Sequence, residues 1–252
     1  AVADALEQQG ADVRRISWAR QYPRRLYGRD QIDPDARPTP GAEWLLTWYN
    51  PLGWIRAGLA ARSREVVILP WVSPFLALAQ LVILLVARSS TRIVHVHNVM
   101  PHEPMPLQRF LARLVLGRAD HLVCHATALQ GELADLGVRT PSSVTPMPPL
   151  IGVDATPLPS RPPVRLLFLG TIRPYKGLDI ALAALALLPI EPALELRVVG
   201  ELWDEDERPP SEAIAAARHR VSTSLGYASD ESMVAELGRA HILVAPYRSA
   251  TQ

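Results

Sequence analysis

Short apolar runs alternate with stretches of helical period along most of this chain, and the sharpest instance is residues 165–178, RLLFLGTIRPYKGL. Leu166, Leu167, Phe168 and Leu169 form a run too short for anything but a buried strand. It ends at Gly170, and a polar turn leads through Gly177 into the helical pattern of 178–188. That order places Arg173 and Lys176 where the carboxyl end of a parallel strand meets a helix N-terminus. Open α/β sheets bind anions there, so the pair is a candidate diphosphate clamp; the plainer reading is two solvated loop cations.

The same alternation extends in both directions. AVADALEQQGADV reads as the end of an amphipathic helix with Gly10 as its C-cap, followed by a strand at 13–18. Strands are expected at 65–69, 92–97, 121–125 and 143–147, with helices at 75–87, 107–116 and 128–136. Between Pro148 and Pro163 the periodicity is lost and proline accumulates, as in a linker. Beyond it, strands at 164–169, 195–199, 221–225 and 241–245 alternate with helices at 178–188, 211–218 and 229–237. This predicts an α/β protein of two doubly wound domains, 1–150 and 164–252, joined by 151–163, with the site in the cleft between them. Such domains ordinarily open with a strand before the first helix and continue past a strand like the last one. Both are therefore expected to be incomplete, the first lacking its opening strand and the second truncated.

Two stretches stand outside the alternation. The Pro- and Arg-rich loop 21–41 is long enough to suggest a functional role, with disorder as the other reading. Residues 43–64 carry Trp44, Trp48 and Trp54 beside Arg56, Arg62 and Arg64 and read as one amphipathic stretch. That composition suits a membrane surface or a ligand groove, or simply aromatics anchoring a helix to the core. The most apolar segment, 75–87, is interrupted by Gln80 and falls short of the roughly 20 residues a spanning helix needs, so it is read as a buried helix.

Composition narrows the classes. The 252 residues are 48% hydrophobic, enough for two real cores. Lys and Arg (26) nearly cancel Asp and Glu (25), which gives no basis for a nucleic-acid surface. The single cysteine, Cys124, reads as a buried thiol and fits a reducing cytoplasm. His97, His102 and Glu103 lie at or just past a strand's carboxyl end. One Glu and two His at these spacings are too little for a closed zinc site, so a loop holding a substrate hydroxyl is the better reading.

Taken together, GTIRPYKGLDIALAAL, LELRVVGE, LGYASDESMVAELGRAHILVAPY and the upstream VHNVMPHE resemble a retaining glycosyltransferase of the GT-B fold, most like glycosyltransferase family 4. The resemblance covers most of the chain and is strongest after the linker. It implies two Rossmann-like domains facing a cleft and transfer of a hexose from a nucleotide-diphosphate sugar to a hydroxyl acceptor. Arg173 and Lys176 would stabilise the leaving diphosphate, with no metal or other cofactor. Gly170, Thr171, Glu201, Gly226, Tyr227, Tyr247, Ser249 and Thr251 fall on the donor-binding segments. His97 matches a position whose imidazole faces donor sugar and acceptor, and His102 and Glu103 fall on the acceptor side.

The family's Gly-rich loop after the first strand is not found, and where its E-x7-E pair is expected the chain reads RSATQ. The resemblance further implies a cytoplasmic bacterial enzyme of cell-surface polysaccharide or glycolipid assembly. Its acceptor would be a glycan or a lipid-linked sugar, and it would contact the inner membrane peripherally. Other GT-B-like enzymes, such as a sugar-nucleotide epimerase or a phosphorylase, and a non-catalytic nucleotide-sugar-binding domain are the competing readings.

Overall fold

Pairing of the short apolar runs builds the fold, and the computed structural model describes it over residues 2–23, 41–101, 106–146 and 163–248. Most of the loop 21–41, the linker up to residue 162, and His102, Glu103, Ser249 and Thr251 lie outside these residues. The chain divides into two compact units, Ala1–Pro148 and Pro149–Ala250.

In the first unit α1 (Val2–Gln8) leads through Gly10 to β1 (Arg15–Arg20), which pairs in parallel with β2 (Ala42–Thr47). α2 (Pro51–Arg62) begins at Asn50, whose side chain accepts from the Leu52 N–H, with Pro51 at the first helical position. Then β3 (Val66–Trp71), α3 (Ala77–Val86), β4 (Thr91–Val96), α4 (Gln108–Leu116), β5 (His121–Cys124), α5 (Thr127–Asp135) and β6 (Ser142–Val144) alternate. Their strands form a parallel sheet in the order β3-β4-β5-β6. Trp71, Leu84, Val94, Val96, Leu116, Leu122, Cys124 and Leu129 fill its core, each large apolar side chain stabilising by about 1.5–3 kcal/mol. Cys124 is a buried free thiol, and burial pushes its pKa up.

The stretch 43–64 is a strand and a helix, not one amphipathic run. The break is at Asn50 and Pro51, a capping residue followed by a helix-starting proline. Trp54 packs with Leu46, Ala57, Ala79 and Ile83 and donates its indole N–H to the Thr47 carbonyl at 2.6 Å, so it is a core anchor. The solvent side of α2 instead carries Leu52, Ile55 and Leu59. α3 is buried through Ala77, Ala79, Gln80, Ile83 and Leu84, as its composition predicts. Among the described residues no helix is long and apolar enough to cross a membrane.

The second unit runs β7 (Val164–Leu169), α6 (Leu178–Leu187), β8 (Leu194–Gly200), α7 (Ser211–Ala216), β9 (Arg220–Leu225), α8 (Asp230–Arg239) and β10 (Ile242–Leu243). All four strands are parallel, in the order β10-β7-β8-β9. Phe168, Leu182, Leu185, Leu196 and Val198 are the centre of its core. The chain lays β8 and β9 outward on one side of β7, then returns to place β10 on the other. The strand order therefore reverses between β7 and β10, and a doubly wound sheet opens a crevice at such a switch point.

Candidate functional site

Four loops gather at the carboxyl edge of the second sheet, one from each strand. Gly200, at the end of β8, has φ +143°, and a Cβ there would stand 2.1 Å from the Gly170 carbonyl oxygen. Backbone thus meets backbone where β7 and β8 end. The Gly226 N–H donates to the Gly200 carbonyl at 3.0 Å and the Ile172 N–H to the Glu201 carbonyl at 2.8 Å. The Trp203 N–H in turn donates to Ile172 at 3.1 Å. These bonds fix the loop after β7 on the loop after β8, and they deliver Trp203 to Arg173. The guanidinium carbon lies 3.4 Å from the indole centroid, a cation–π stack.

Lys176 is held on the opposite flank. A Cβ at Gly170 would meet its Nζ at 2.7 Å, so the ammonium lies directly over the strand end. Nζ is also 5.5 Å from the Tyr247 ring, which meets Tyr175 edge-on at 6.1 Å between centroids. Gly177, at φ +72°, allows the loop after β10 to seat on the N-terminus of α6: a Cβ there would collide with the Pro246 carbonyl oxygen at 2.2 Å. Arg248 closes this seam, its N–H donating to Tyr175 at 2.7 Å and its guanidinium to the Pro174 carbonyl and the Asp179 carboxylate. Arg173, Lys176 and Tyr247 therefore border the β7/β10 switch point. Thr171 and Glu201 sit half-buried in the same loops, and Tyr227 stands in solvent after β9.

Burial, and then the neighbouring Arg173 charge, pushes the Lys176 ammonium below the ordinary lysine range. Two like charges share a partly dry edge beside the N-terminus of α6. An anion relieves both effects by neutralising the pair and replacing lost water with charge-assisted hydrogen bonds. Burial and the neighbouring Tyr175 raise the Tyr247 phenol, which stays neutral and offers a donor. Sequence reasoning missed Trp203, because only the pairing of Ile172 with Leu202 shows that it lies against Arg173.

The first unit places His97 at the carboxyl end of β4, its N–H donating to the Trp71 carbonyl at 3.0 Å. Two further imidazoles surround it. His95 and His97 project from one face of β4, and the β4/β5 register, Val94 on Leu122 and Val96 on Cys124, brings His125 beside His97. Ring centroids are 6.2 Å apart for His95 and His97, 5.0 Å for His95 and His125, and 5.1 Å for His97 and His125. Burial foremost, and then the neighbouring His125, push His95 and His97 below the usual histidine range. His95 and His125 were absent from the sequence-based candidates.

No family model matches the chain. Over 86 residues, 34% of this chain, it is 34% identical to GDP-mannose:glycolipid 4-beta-D-mannosyltransferase of Xanthomonas campestris pv. campestris, and the match spans 24% of that protein. Sucrose-phosphate synthase from Thermosynechococcus elongatus superposes with a TM-score of 0.68 at 15% identity, covering 98% of this chain and 68% of that one. Anabaena HepE in complex with UDP gives 0.60 at 16% identity, over 79% of this chain and 57% of the other. The lipopolysaccharide outer core galactosyltransferase WaaB gives 0.54 at 15% identity, over 78% and 55%. The fold is of the GT-B type. Its two Rossmann-like domains are the α/β architecture read from the alternating pattern, and the glycosyltransferase names among these relatives agree with the sequence resemblance.

Proposed function

We propose that the protein transfers a hexose from a nucleotide-diphosphate sugar to a hydroxyl acceptor, with the donor diphosphate held by Arg173 and Lys176. The observation that carries this is the pairing of those two cations, propped by Trp203 and Tyr247, at the strand-order reversal of the second unit. As the sugar–phosphate bond breaks, negative charge grows on the diphosphate and both cations bind it more tightly than in the ground state. They neutralise the leaving group without a metal. Thr171, Glu201, Gly226, Tyr227 and Tyr247 line the donor side, with Ser249 and Thr251 following in the chain.

The family 4 resemblance supports retention. The acceptor hydroxyl then attacks the anomeric carbon on the face the diphosphate leaves: the acceptor C–O bond forms, the sugar–phosphate C–O bond breaks, and the acceptor proton passes to the departing diphosphate. His97 orients sugar and acceptor, with His102 and Glu103 following in the chain on the acceptor side. One observation favours a second reading. The Xanthomonas relatives are named for a β-mannoside product, which requires inversion if the donor is α-linked; His97, neutral at physiological pH, then serves as the base that takes the acceptor proton.

Those relatives act by name on GDP-mannose and a glycolipid, and the HepE structure holds UDP. The test is calorimetric titration with GDP, UDP and ADP in parallel, followed by product analysis with the matching sugar nucleotide. One diphosphate binding selectively, and losing affinity in Lys176→Ala, is the expected result. Folded protein that binds none of the three overturns the reading. The anomeric configuration of the product, read by NMR from the C1–H1 coupling, decides between retention and inversion.

For a lipid-linked acceptor we propose cytoplasmic action at the inner membrane face, where Leu52, Ile55 and Leu59 on α2, flanked by the exposed Arg56 and Arg62, form the contact. Flotation with anionic vesicles that is unchanged by Ile55→Asp with Leu59→Asp rejects that surface.

A further inference from the structure

We propose that His95, His97 and His125 form a binding site for a divalent transition-metal ion of the zinc class, at the carboxyl edge of the first unit's sheet. One nitrogen from each of the three imidazoles lies within 4.8 Å of the others. Tetrahedral bonds of about 2.0–2.1 Å require ligand nitrogens roughly 3.3 Å apart, so closure demands side-chain rotation and leaves the backbone in place. Strand pairing sets the scaffold: His95 lies on β4, His97 directly follows it, and His125 directly follows β5, whose ladder with β4 ends at Val96 on Cys124.

His125 supplies the strongest argument. Its Nδ1 stands 3.1 Å from the Thr145 carbonyl oxygen, and a carbonyl only accepts, so Nδ1 carries the proton. Nε2 is therefore the nitrogen that carries the lone pair. That atom is buried and has no hydrogen-bond partner among the described residues, an arrangement that costs stability unless something binds the lone pair. Metal-ligating histidines characteristically donate their second nitrogen to a carbonyl or carboxylate in this way. Three neutral nitrogens with no carboxylate among them select zinc, cobalt, nickel or copper over magnesium and calcium, which prefer oxygen. Three protein ligands also leave a fourth position open to water or a small anion.

The site does not rest on the transfer reading. Where both hold, a bound ion takes the His97 imidazole out of reach of the sugar and inhibits transfer.

The experiment uses the whole chain, treated with a chelator and then titrated calorimetrically with zinc chloride, with cobalt chloride as the optical probe. One zinc ion per chain and the intense visible absorption of tetrahedral cobalt are expected. His95→Ala and His125→Ala each weaken zinc by on the order of 100-fold, at least the loss seen when a second-shell partner is removed. His121→Ala and His241→Ala, which lie outside the cluster, leave it unchanged. Should the alanine variants fail to fold, His95→Cys keeps three ligands and adds a sulfur-to-cobalt charge-transfer band. Zinc uptake that is absent in the parent, or equal in His125→Ala, or a folded His95→Cys without that band, overturns the proposal. No sugar or nucleotide enters this measurement, so its failure leaves the donor-site reading untouched, and failed nucleotide binding leaves the metal site standing.

Discussion

The two units end their parallel sheets in the same way and arm those ends with opposite chemistry. At the edge of β4 and β5 the side chains are His95, His97 and His125, lone-pair donors suited to a proton or a cation. At the edge of β7 and β10 they are Arg173 and Lys176, set against aromatic faces and suited to an anion. Sheet topology chooses the place in both units, and the residues that follow each strand choose the ligand. The difference also lies in how each group is held. The imidazoles stand on or directly after strands and are positioned by register, whereas the cations stand on a loop seated by two close backbone approaches, Gly200 on Gly170 and Gly177 on Pro246.

The contrast breaks most completely if both cations are removed. Arg173→Ala with Lys176→Ala deletes two charge-assisted contacts worth about 1.5–3 kcal/mol each, so affinity for the preferred nucleoside diphosphate should fall by about 10²- to 10⁴-fold. Calorimetry reads this directly. Unchanged affinity in a folded variant means the anion site is elsewhere and the two sheet edges are not the opposites described above.

The next largest effect concerns the backbone beneath the clamp. Gly200→Ala drives a Cβ to within 2.1 Å of the Gly170 carbonyl and imposes φ +143° on a residue with a side chain, so the ends of β7 and β8 must separate. A loss of roughly 3 kcal/mol is expected, seen as a lower midpoint in urea unfolding. A Gly200→Ala protein of parental stability shows that the loops carry no such constraint.

Much of this was legible in the sequence, and the exceptions share a cause. The strand–loop–helix unit at 165–178 declared itself through four consecutive apolar residues and two punctuating glycines, all local signals. In the stretch 43–64 the reading of aromatics anchoring a helix to the core holds for Trp54, but the single amphipathic run does not, because Asn50 and Pro51 cap and start α2 after a separate strand. Leu52, Ile55 and Leu59 were visible at helical spacing only once that start was fixed. His95 and His125 were hidden for a deeper reason: their proximity is set by the pairing of β4 on β5, a register no window of sequence contains. A trace was present, since RIVHVH and HLVCH both close on histidine. Trp203 has no comparable trace, its place depending on the bridge between Ile172 and Leu202.

Trp203→Ala sharpens the comparison at the level of one side chain. Arg173 keeps its charge but loses the indole face 3.4 Å away that fixes its orientation. A cation–π contact of about 0.5–2 kcal/mol predicts roughly 3- to 30-fold weaker diphosphate binding. An equal loss for nucleoside and nucleoside diphosphate would instead assign Trp203 to the base.

The smallest effect is the pH dependence of the anion site. Burial and the Arg173 charge hold Lys176 below the ordinary lysine range in the free protein, and a bound diphosphate raises it again. Affinity is therefore full below the lowered pKa and declines as pH rises through it, by at most about tenfold per pH unit because one proton is linked. Over the same rise the ligand-free protein gains stability, since the unfolded lysine keeps its proton to higher pH than the folded one. Lys176→Arg, charged throughout, should flatten both trends while retaining diphosphate binding. Calorimetry in buffers of different ionisation enthalpy counts the proton taken up on binding. A parental profile as flat as that of the arginine variant would mean that Lys176 titrates as an ordinary surface lysine, leaving Arg173 as the charge that defines this edge.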